Sequence, residues 1–200
     1  MLDVIWQFPL SWPLVVPQTS LESTKDDIKK ANTQSTFKHK FSSKISSESS
    51  KIDINDLASP SKVIREKTRQ QILDLFQSKL RDQSEWSKKY YNYRFDILVN
   101  HITDWIDVDK TSLMGGDEGS YYSEMRNPYI PPNQPFKTIE EIHMIKGMED
   151  EIYDILVPNI TIYGGKGVNV NYADKTLLMA LDPGITSQVA DEIIKRRNDI

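Results

Sequence analysis

The chain has no cysteine, which excludes disulfide bonds, thiolate nucleophiles and cysteine-ligated zinc sites. Histidine is scarce, with 3 residues in 200 and no spacing typical of metal ligands. Long apolar runs are also missing, because prolines and polar residues break the stretch over residues 1–16, which is too short for the roughly 20 residues of a membrane helix. The chain start lacks the basic segment and cleavage site of a secretory signal. We therefore expect no part of this sequence to span a bilayer.

Positive charge is not in excess. The 29 Asp and Glu residues outnumber the 25 Lys and Arg residues, so the net charge is −4 and no global positive field exists to hold a polyanion. Catalytic and phosphate-binding motifs such as G-x-S-x-G, H-E-x-x-H and G-x-G-x-x-G are absent. These absences weigh against general nucleic-acid binding and predict that the protein is not an enzyme. The 38% of hydrophobic residues suffice for one mid-sized domain or two small ones.

The pattern of residues 1–57 predicts strands on either side of a loop. Apolar residues and prolines over residues 1–16 favour an extended or edge strand. The Ser-, Thr- and Lys-rich stretch over residues 17–35 predicts a mobile loop. Apolar and polar residues alternate over residues 37–41 and again over residues 52–55, so we expect these segments to be two strands of one half-buried sheet.

Residues 58–137 have the pattern of a helical domain. Ser59 followed by Pro60 is typical of a helix start, and apolar residues then recur at helical spacing as far as residue 80. A second amphipathic helix is predicted over residues 95–106, where apolar residues recur at steps of three and four. An acidic loop and a proline-rich extended connection follow this second helix.

Residues 138–200 contain a weak duplication. Thr138 with Glu141 three residues later has the capping-box pattern of a helix start. Two patterns of helix, glycine turn and helix follow, separated by apolar residues between positions 160 and 170 that predict a strand pair turned by glycines. Each copy has too little apolar surface to be stable alone, so we expect the copies to pack together or on the preceding helices.

The acidic loop is the most informative local feature. Five acidic residues lie within fifteen positions with one cation among them: Asp104, Asp107, Asp109, Asp117 and Glu118, with Lys110. Carboxylates this dense repel one another, and a Ca²⁺ ion would neutralise them while ordering the loop. Counted from Asp107, acidic residues occupy positions 1, 3 and 12 of an EF-hand loop, but Ser112 stands where that motif has glycine. The alternative is a solvated acidic loop at a helix end.

The second helix-turn-helix pattern suggests a different function. Helix-hairpin-helix modules bind a DNA phosphate through backbone N–H groups at a Gly-containing hairpin, and Leu-Asp-Pro-Gly-Ile at residues 181–185 has that outline. Basic residues near the turn are few, and Asp182 lies within it. A helix-hairpin-helix DNA-binding module is therefore the alternative function, and a lectin-like or enzymatic domain is a third.

Six segments in chain order resemble the type II secretion system protein K family, the large minor pseudopilin. They are Lys-Ile-Asp-Ile-Asn at 51–55, Asp-Trp-Ile-Asp-Val-Asp at 104–109, Gly-Gly-Asp-Glu at 115–118 with Tyr121 and Tyr122, Pro-Tyr at 128–129 with Asn-Gln-Pro-Phe at 133–136, Ile-Lys-Gly-Met at 145–148, and Val-Asn-Val-Asn at 168–171. The resemblance implies an α+β fold, in which a partial pilin-like antiparallel sheet from residues 1–57 carries a large, mainly α-helical inserted domain. That domain would comprise residues 58–137, with the metal-binding loop, and residues 138–200, with two SAM-like or helix-hairpin-helix-like units.

The resemblance also implies a function and its ligands. It implies a noncatalytic subunit that caps the tip of the type II secretion pseudopilus and supports export of folded proteins across the outer membrane. Its implied partners are I- and J-type minor pseudopilins, the pseudopilus and secreted substrates, with no nucleic acid. It implies a structural Ca²⁺ ion bound by Asp107, Asp109 and Glu118, with Asp104 and Asp117 as further candidate ligands.

The implied location is the periplasm of a Gram-negative-type bacterium, with anchoring to the inner membrane before assembly. Members of the family begin with a prepilin leader and a hydrophobic helix, and they continue into further sheet strands after the second helical hairpin. Neither part is in this sequence. We therefore expect a piece of the protein that lacks its membrane anchor.

Overall fold

The computed structural model describes residues 10–14, 22–37, 39–43, 47–82, 84–165 and 167–198. The chain divides into two compact units, Met1–Ser47 and Glu48–Ile200. Among the helices within those described ranges, none is both long enough and apolar enough to cross a bilayer.

The described part of the first unit contains a short antiparallel strand pair and one helix. Its elements are β1 at Leu10–Trp12, α1 at Glu22–Gln34 and β2 at Phe41–Ser43. Strands β1 and β2 pair antiparallel, with Trp12 opposite Phe41. The Asn32 side chain of α1 accepts a hydrogen bond from the Leu14 backbone N–H at 2.9 Å and donates one to its carbonyl at 3.0 Å. These bonds join the helix to the segment after β1.

Two predictions for this unit are wrong. Residues 22–34 form α1 rather than a mobile loop, because the Lys, Glu, Gln and Ala residues that make the segment polar also favour helix. The strand predicted over residues 37–41 begins only at Phe41 and is exposed instead of half-buried. Within the extended segment predicted over residues 1–16, residues 10–12 form β1, and residues 1–9 and 15–16 lie outside the described part of the chain.

The second unit is mainly helical. Its helices and strands are β3 at Ile52–Asp53, α2 at Lys62–Leu80, α3 at Glu85–Tyr90, α4 at Phe95–Ile106, α5 at Ser120–Ser123, α6 at Asp150–Leu156, β4 at Ile160–Thr161, α7 at Lys175–Leu181 and α8 at Ser187–Asn198. Short 3₁₀ segments lie at Glu48–Ser50, Ile54–Ala58, Ile139–Met144 and Val157–Asn159. The 3₁₀ segment Ile139–Met144 begins as the capping-box pattern predicts, since the Thr138 N–H donates to Glu141 Oε1 at 2.9 Å.

The predictions for the helices are confirmed with two differences. Helix α4 has the predicted bounds. Helix α2 begins at Lys62 with Ser61 at its N-cap, two residues later than the pattern of Ser59 and Pro60 indicated. Helix α3 was not predicted, although the Ser84 hydroxyl at its N-cap accepts from the Ser87 N–H at 3.3 Å.

Helices α2 and α4 form the centre of the core. Their facing sides are almost completely buried: Ile72, Leu75 and Phe76 on α2, and Leu98, Val99 and Ile102 on α4. These positions lie three and four residues apart, so they form one apolar stripe on each helix. Phe76 stacks on Phe95 with ring centroids 4.4 Å apart. Helix α2 also packs against α3, α6, α7 and β3, so it supports most of the second unit.

The sheet of the second unit is parallel and joins distant parts of the chain. Ile52 pairs with Ile160 and Asp53 with Thr161. The predicted pairing of residues 52–55 with residues 37–41 is therefore wrong, and so is the predicted strand pair between positions 160 and 170. Ile52, Ile160 and Thr161 are buried, and burial on both faces is typical of parallel strands. Residues 52–57, predicted as part of the strand region, lie within the helical unit.

The duplicated segments pack on the preceding helix, as one of the two predicted alternatives states. Helix α7 packs on α2 and on α8, and α6 packs on α2 and on the 3₁₀ segment Ile139–Met144. The structure thus shows a mixed helical fold with small sheets. The first copy pairs a 3₁₀ segment with an α-helix, whereas the second pairs two α-helices.

Candidate metal centre

The end of α4 and the loop after it bring three acidic residues together. Asp104 and Asp107 lie three residues apart, so they share one side of the last helical turn. The loop then turns back at Gly115 and Gly116, which both have positive φ angles, of 88° and 89°. Thr111 and Asp117 pair across this turn as an antiparallel bridge. The two glycines therefore make the turn that the EF-hand pattern expects earlier in the loop, and they return Glu118 towards α4.

The acidic trio consists of Asp104, Asp107 and Glu118. Each residue offers a carboxylate oxygen, and the three oxygens lie within 4.8 Å of one another. Asp104 and Glu118 are buried, with 5% and 7% of their surface exposed, and Asp107 is partly buried. Asp104 is held in place by the loop, because its carboxylate accepts from the Ser112 hydroxyl at 2.7 Å and from the Leu113 N–H at 3.0 Å.

Two oxygens of the acidic trio have no hydrogen-bond partner among the described residues. They are Asp107 Oδ1 and Glu118 Oε1, and both are buried. The other oxygen of Glu118 accepts from the Asn133 side-chain amide at 2.6 Å. A buried carboxylate oxygen without a partner is costly. The site thus contains two buried acceptors to which none of the described residues donates a hydrogen bond.

The electrostatics of the acidic trio are unfavourable when no cation is present. Burial raises the pKa of Glu118 to about 7, opposed by the Asn133 hydrogen bond and reinforced by the carboxylates of Asp107, Asp104 and Asp109. Burial likewise raises the pKa of Asp107 to about 6, with further contributions from the carboxylates of Asp109 and Asp104. Both shifts mean that the ionised forms are poorly solvated and repel one another.

Asn133 is a site residue that the sequence did not identify. Its side-chain amide donates to Glu118 and to the backbone carbonyl of Asp109, so one residue links both sides of the loop. Its backbone has φ of +48°, in the left-handed region that asparagine tolerates better than most residues. The sequence signal that could have identified Asn133 is its position in the proline-rich segment, between Pro132 and Gln134.

The other two candidate ligands lie on the surface. Asp109 is exposed, and its Oδ1 accepts from the Thr111 N–H at 2.7 Å within the loop. Asp117 is exposed at the bridge with Thr111. The structure therefore brings together Asp104, Asp107 and Glu118, and it leaves Asp109 and Asp117 outside this group.

An aromatic cluster lies beside two residues of the acidic trio, Asp104 and Glu118. Trp105 contacts Tyr122 and Tyr129, with ring centroids 5.5 and 6.0 Å away. A cavity of about 240 Å³ is lined by Trp105 and Tyr122 together with Asp104 and Glu118. Asp104 and Glu118 thus share with aromatic side chains a cavity that is large enough for water.

The hairpin considered as a DNA site uses its polar groups internally. The Gly184 N–H donates to the Asp182 carboxylate at 2.7 Å, so an acidic group occupies the place that a phosphate would take. Lys175 pairs with Asp191 at 2.7 Å. Arg197 donates to the backbone carbonyls of the segment before α7. These contacts do not favour the DNA-binding alternative.

The comparisons with known proteins agree with one another. A family model described as "Type II secretion system (T2SS), protein K" matches residues 50–165, more than half of the chain. The type II secretion system protein K of Dickeya chrysanthemi is 28% identical over 106 residues, which cover 50% of this chain and 29% of that protein. The putative type II secretion system protein K of Escherichia coli (strain K12) is 32% identical over 76 residues, which cover 38% of this chain and 23% of that protein.

The fold has a relative among solved structures. A chain in the crystal structure of the GspK-GspI-GspJ complex from the type 2 secretion system of enterotoxigenic Escherichia coli matches with a TM-score of 0.56 and 23% identity. The match covers 71% of this chain and 49% of that chain. The chain thus spans about a quarter of the curated relatives and about half of the structural relative. The family match, which includes the whole acidic loop, confirms the resemblance: this chain belongs to the type II secretion system protein K family.

Proposed function

We propose that this chain is part of a noncatalytic minor pseudopilin, which caps the tip of the periplasmic pseudopilus of type II secretion and supports the export of folded proteins. The observation that carries the proposal is the family match over residues 50–165. The similar fold of a chain solved in the GspK-GspI-GspJ complex supports it.

The helical unit suggests how such a subunit would end a filament. Filaments grow by head-to-tail contacts that do not close on themselves, so every subunit must present a surface for the next one. The second unit comprises residues 48–200 and has its own core, built on α2 and α4. If such a unit covers the surface that would contact the next subunit, another copy cannot bind to that surface. Growth in that direction therefore stops.

The proposed partners are the I- and J-type minor pseudopilins. The test is to mix the K-type protein, complete except for any membrane segment, with the soluble domains of its I- and J-type counterparts. The mass of the resulting species is measured by light scattering after size-exclusion chromatography. We expect one complex that contains all three proteins. Separate elution of the K-type protein in the presence of both partners would refute the assignment.

We further propose that the acidic trio holds a structural Ca²⁺ ion. The donors fit, because Asp104, Asp107 and Glu118 offer carboxylate oxygens only and two of those oxygens have no other partner. Calcium takes six to eight oxygen ligands and tolerates irregular geometry, whereas zinc prefers nitrogen and sulfur. Water in the adjoining cavity would complete the shell.

A bound cation would supply charge neutralisation at this site. Asp104 and Asp107 belong to the end of α4, and Glu118 lies two residues before the start of α5. Joining them holds the intervening loop in its folded course, and Asn133 attaches the proline-rich segment to the same place. A ligand that binds only the folded form adds to the free energy of unfolding. The proposed role of the ion is therefore to stabilise the helical unit.

Calorimetry on the isolated chain tests the calcium site. Calcium should bind to the unmodified chain, and Asp107→Asn should weaken binding by about tenfold or more, since a charged ligand is lost. Asp117→Asn is the matched control, because Asp117 lies in the same loop but is exposed and outside the acidic trio. Equal loss of binding in both variants, or no binding to the unmodified chain, would refute the site.

A further inference from the structure

A second cavity of the helical unit is lined by charged groups of both signs, among them Asp107 of the acidic trio. It measures about 390 Å³ and opens between α2, the 3₁₀ segment Ile54–Ala58 and the loop that follows α4. Two arginines of α2, Arg65 and Arg69, form one wall. They lie four residues apart, so both point from the same side of the helix.

Both arginines are held in place but have no carboxylate partner. Arg65 Nη1 donates to the Ser59 carbonyl at 2.6 Å, and Arg69 Nη2 donates to the Asp96 carbonyl at 3.1 Å. Within the described part of the chain these are the hydrogen bonds of the two guanidinium groups, and neither group forms an ion pair. A guanidinium carries five N–H donors, so most of their donors stay available. The backbone contacts already restrict both side chains, which lowers the entropy cost of binding an anion.

The rest of the lining includes both apolar and acidic residues. Leu57 and Ala58 form the apolar part together with Leu113, whose side chain is 56% exposed. Asp107 and Asp109, from the loop after α4, also line the cavity. Glu66 lines it as well and is paired with Lys62 at 3.6 Å. An occupant of the cavity therefore meets two arginines of α2, and a negative charge on it is favoured near them and disfavoured near Asp107 and Asp109.

This distribution selects the chemistry of the occupant. A small free anion has no means of keeping its charge towards α2 alone, and the acidic side chains repel it. A peptide can do so, because a carboxylate side chain would meet Arg65 and Arg69 while a neighbouring apolar side chain covers Leu113. Backbone N–H groups of the same peptide suit Asp109. Carboxylates bind arginine through two parallel hydrogen bonds, which adds specificity.

We propose that this cavity is a docking site for an extended peptide segment of a partner protein, in which an acidic residue lies beside an apolar one. The proposal requires neither a bound calcium ion nor a position in a filament. Arg65 and Arg69 would bind the carboxylate of the peptide's acidic residue. Leu57 and Leu113 would contact its apolar side chain.

The test uses the ¹⁵N-labelled chain and the blocked peptide acetyl-Gly-Leu-Glu-Leu-Gly-amide. Titration should shift the backbone amide signals of the 3₁₀ segment Ile54–Ala58, of α2 around Arg65 and Arg69, and of Leu113. The matched peptide with Gln in place of Glu should bind about tenfold more weakly, because a charge-assisted contact is lost. A peptide with Gly in place of both Leu residues should also bind more weakly.

Variants connect the binding to the cavity. Arg65→Gln with Arg69→Gln should abolish the preference for the Glu peptide over the Gln peptide. Arg81→Gln is the matched control, since Arg81 is an exposed arginine at the end of the same helix. Leu113→Ser, at an exposed position that tolerates polarity, should reduce binding of the Leu-containing peptide to that of the Gly peptide even if the double arginine variant fails to fold.

Three results would overturn the proposal. They are equal affinity for the Glu and Gln peptides, an unchanged preference in a folded Arg65 and Arg69 variant, and amide shifts that lie away from the cavity. If the Gly peptide bound as tightly as the Leu peptide, the cavity would be an anion site only, and the peptide assignment would be wrong.

Discussion

Replacing Glu118 with glutamine should change stability in opposite directions with and without calcium. Glu118 is buried, and its pKa is raised to about 7 from an ordinary value of 4.5. Glutamine has nearly the same shape but carries no charge. Its amide oxygen can accept from Asn133 as Glu118 does, and its NH₂ group is a donor beside the other carboxylates of the acidic trio.

The size of the effect follows from the pKa difference. A carboxyl whose pKa is higher in the folded chain stabilises the fold at pH values below its ordinary pKa, and this contribution is lost as pH rises through the folded value. Raising the pKa from 4.5 to about 7 corresponds to about 3 kcal/mol at a pH above both values. In chelator at about pH 8, Glu118→Gln should therefore be the more stable protein by up to this amount, or about 5–10 °C in melting temperature.

The assay is thermal unfolding followed by circular dichroism, in chelator and in calcium. At about pH 5 in chelator the advantage of Glu118→Gln should shrink, because Glu118 is then protonated. Calcium should raise the melting temperature of the unmodified chain and have little effect on the variant, which has lost a charged ligand. Asp117→Asn serves as the control that should respond to calcium like the unmodified chain. A variant that is less stable than the unmodified chain in chelator at about pH 8, or that is equally stabilised by calcium, would refute the reasoning.

Three further predictions test the support of the site and the fold. Asn133→Gly keeps the backbone freedom needed at φ of +48° but removes the amide, so calcium affinity measured by calorimetry should fall about tenfold; unchanged affinity would remove Asn133 from the site. Gly164→Ala places a Cβ atom 2.8 Å from that of Asp53, whereas Gly165→Ala meets nothing within 4 Å; urea unfolding should show a loss of about 1–3 kcal/mol for the first and little change for the second, and equal values would contradict the close approach. Phe76→Ala empties a fully buried position and should lower the free energy of unfolding by about 3–5 kcal/mol, so a loss below about 1 kcal/mol would argue against the central place of α2.

The helices of the second unit could be predicted where their signals are local. Helix α4 has the predicted bounds, because its apolar residues recur at steps of three and four and Asp107 ends the pattern. Helix α3 is six residues long and has little periodicity, so it was missed. Helix α1 was not predicted because polarity indicates solvent exposure and does not distinguish a loop from an exposed helix, although several polar residues of this segment favour helix.

The strands could not be placed from local pattern. An alternating segment shows that one face is apolar, but it does not identify the partner strand. Residues 52–53 pair with residues 160–161, more than a hundred positions away, and both strands are only two residues long. Their pairing depends on how the long chain segment between them packs, including α2. No short window of sequence contains that information. The nearer segment at residues 37–41 therefore looked like a partner and was not one.

By itself, the sequence determined that this protein has an acidic loop after a strong amphipathic helix, because charge density and helical periodicity are properties of neighbouring residues. The sequence also contains the six segments, in chain order, that resemble the family. The tertiary structure alone decided which of the five acidic residues face one another. Asp104, Asp107 and Glu118 converge because Gly115 and Gly116 reverse the loop, and their burial in the packed unit desolvates the carboxylates of Asp107 and Glu118. Desolvation and close approach require the packed chain, so no spacing rule could separate these three from Asp109 and Asp117.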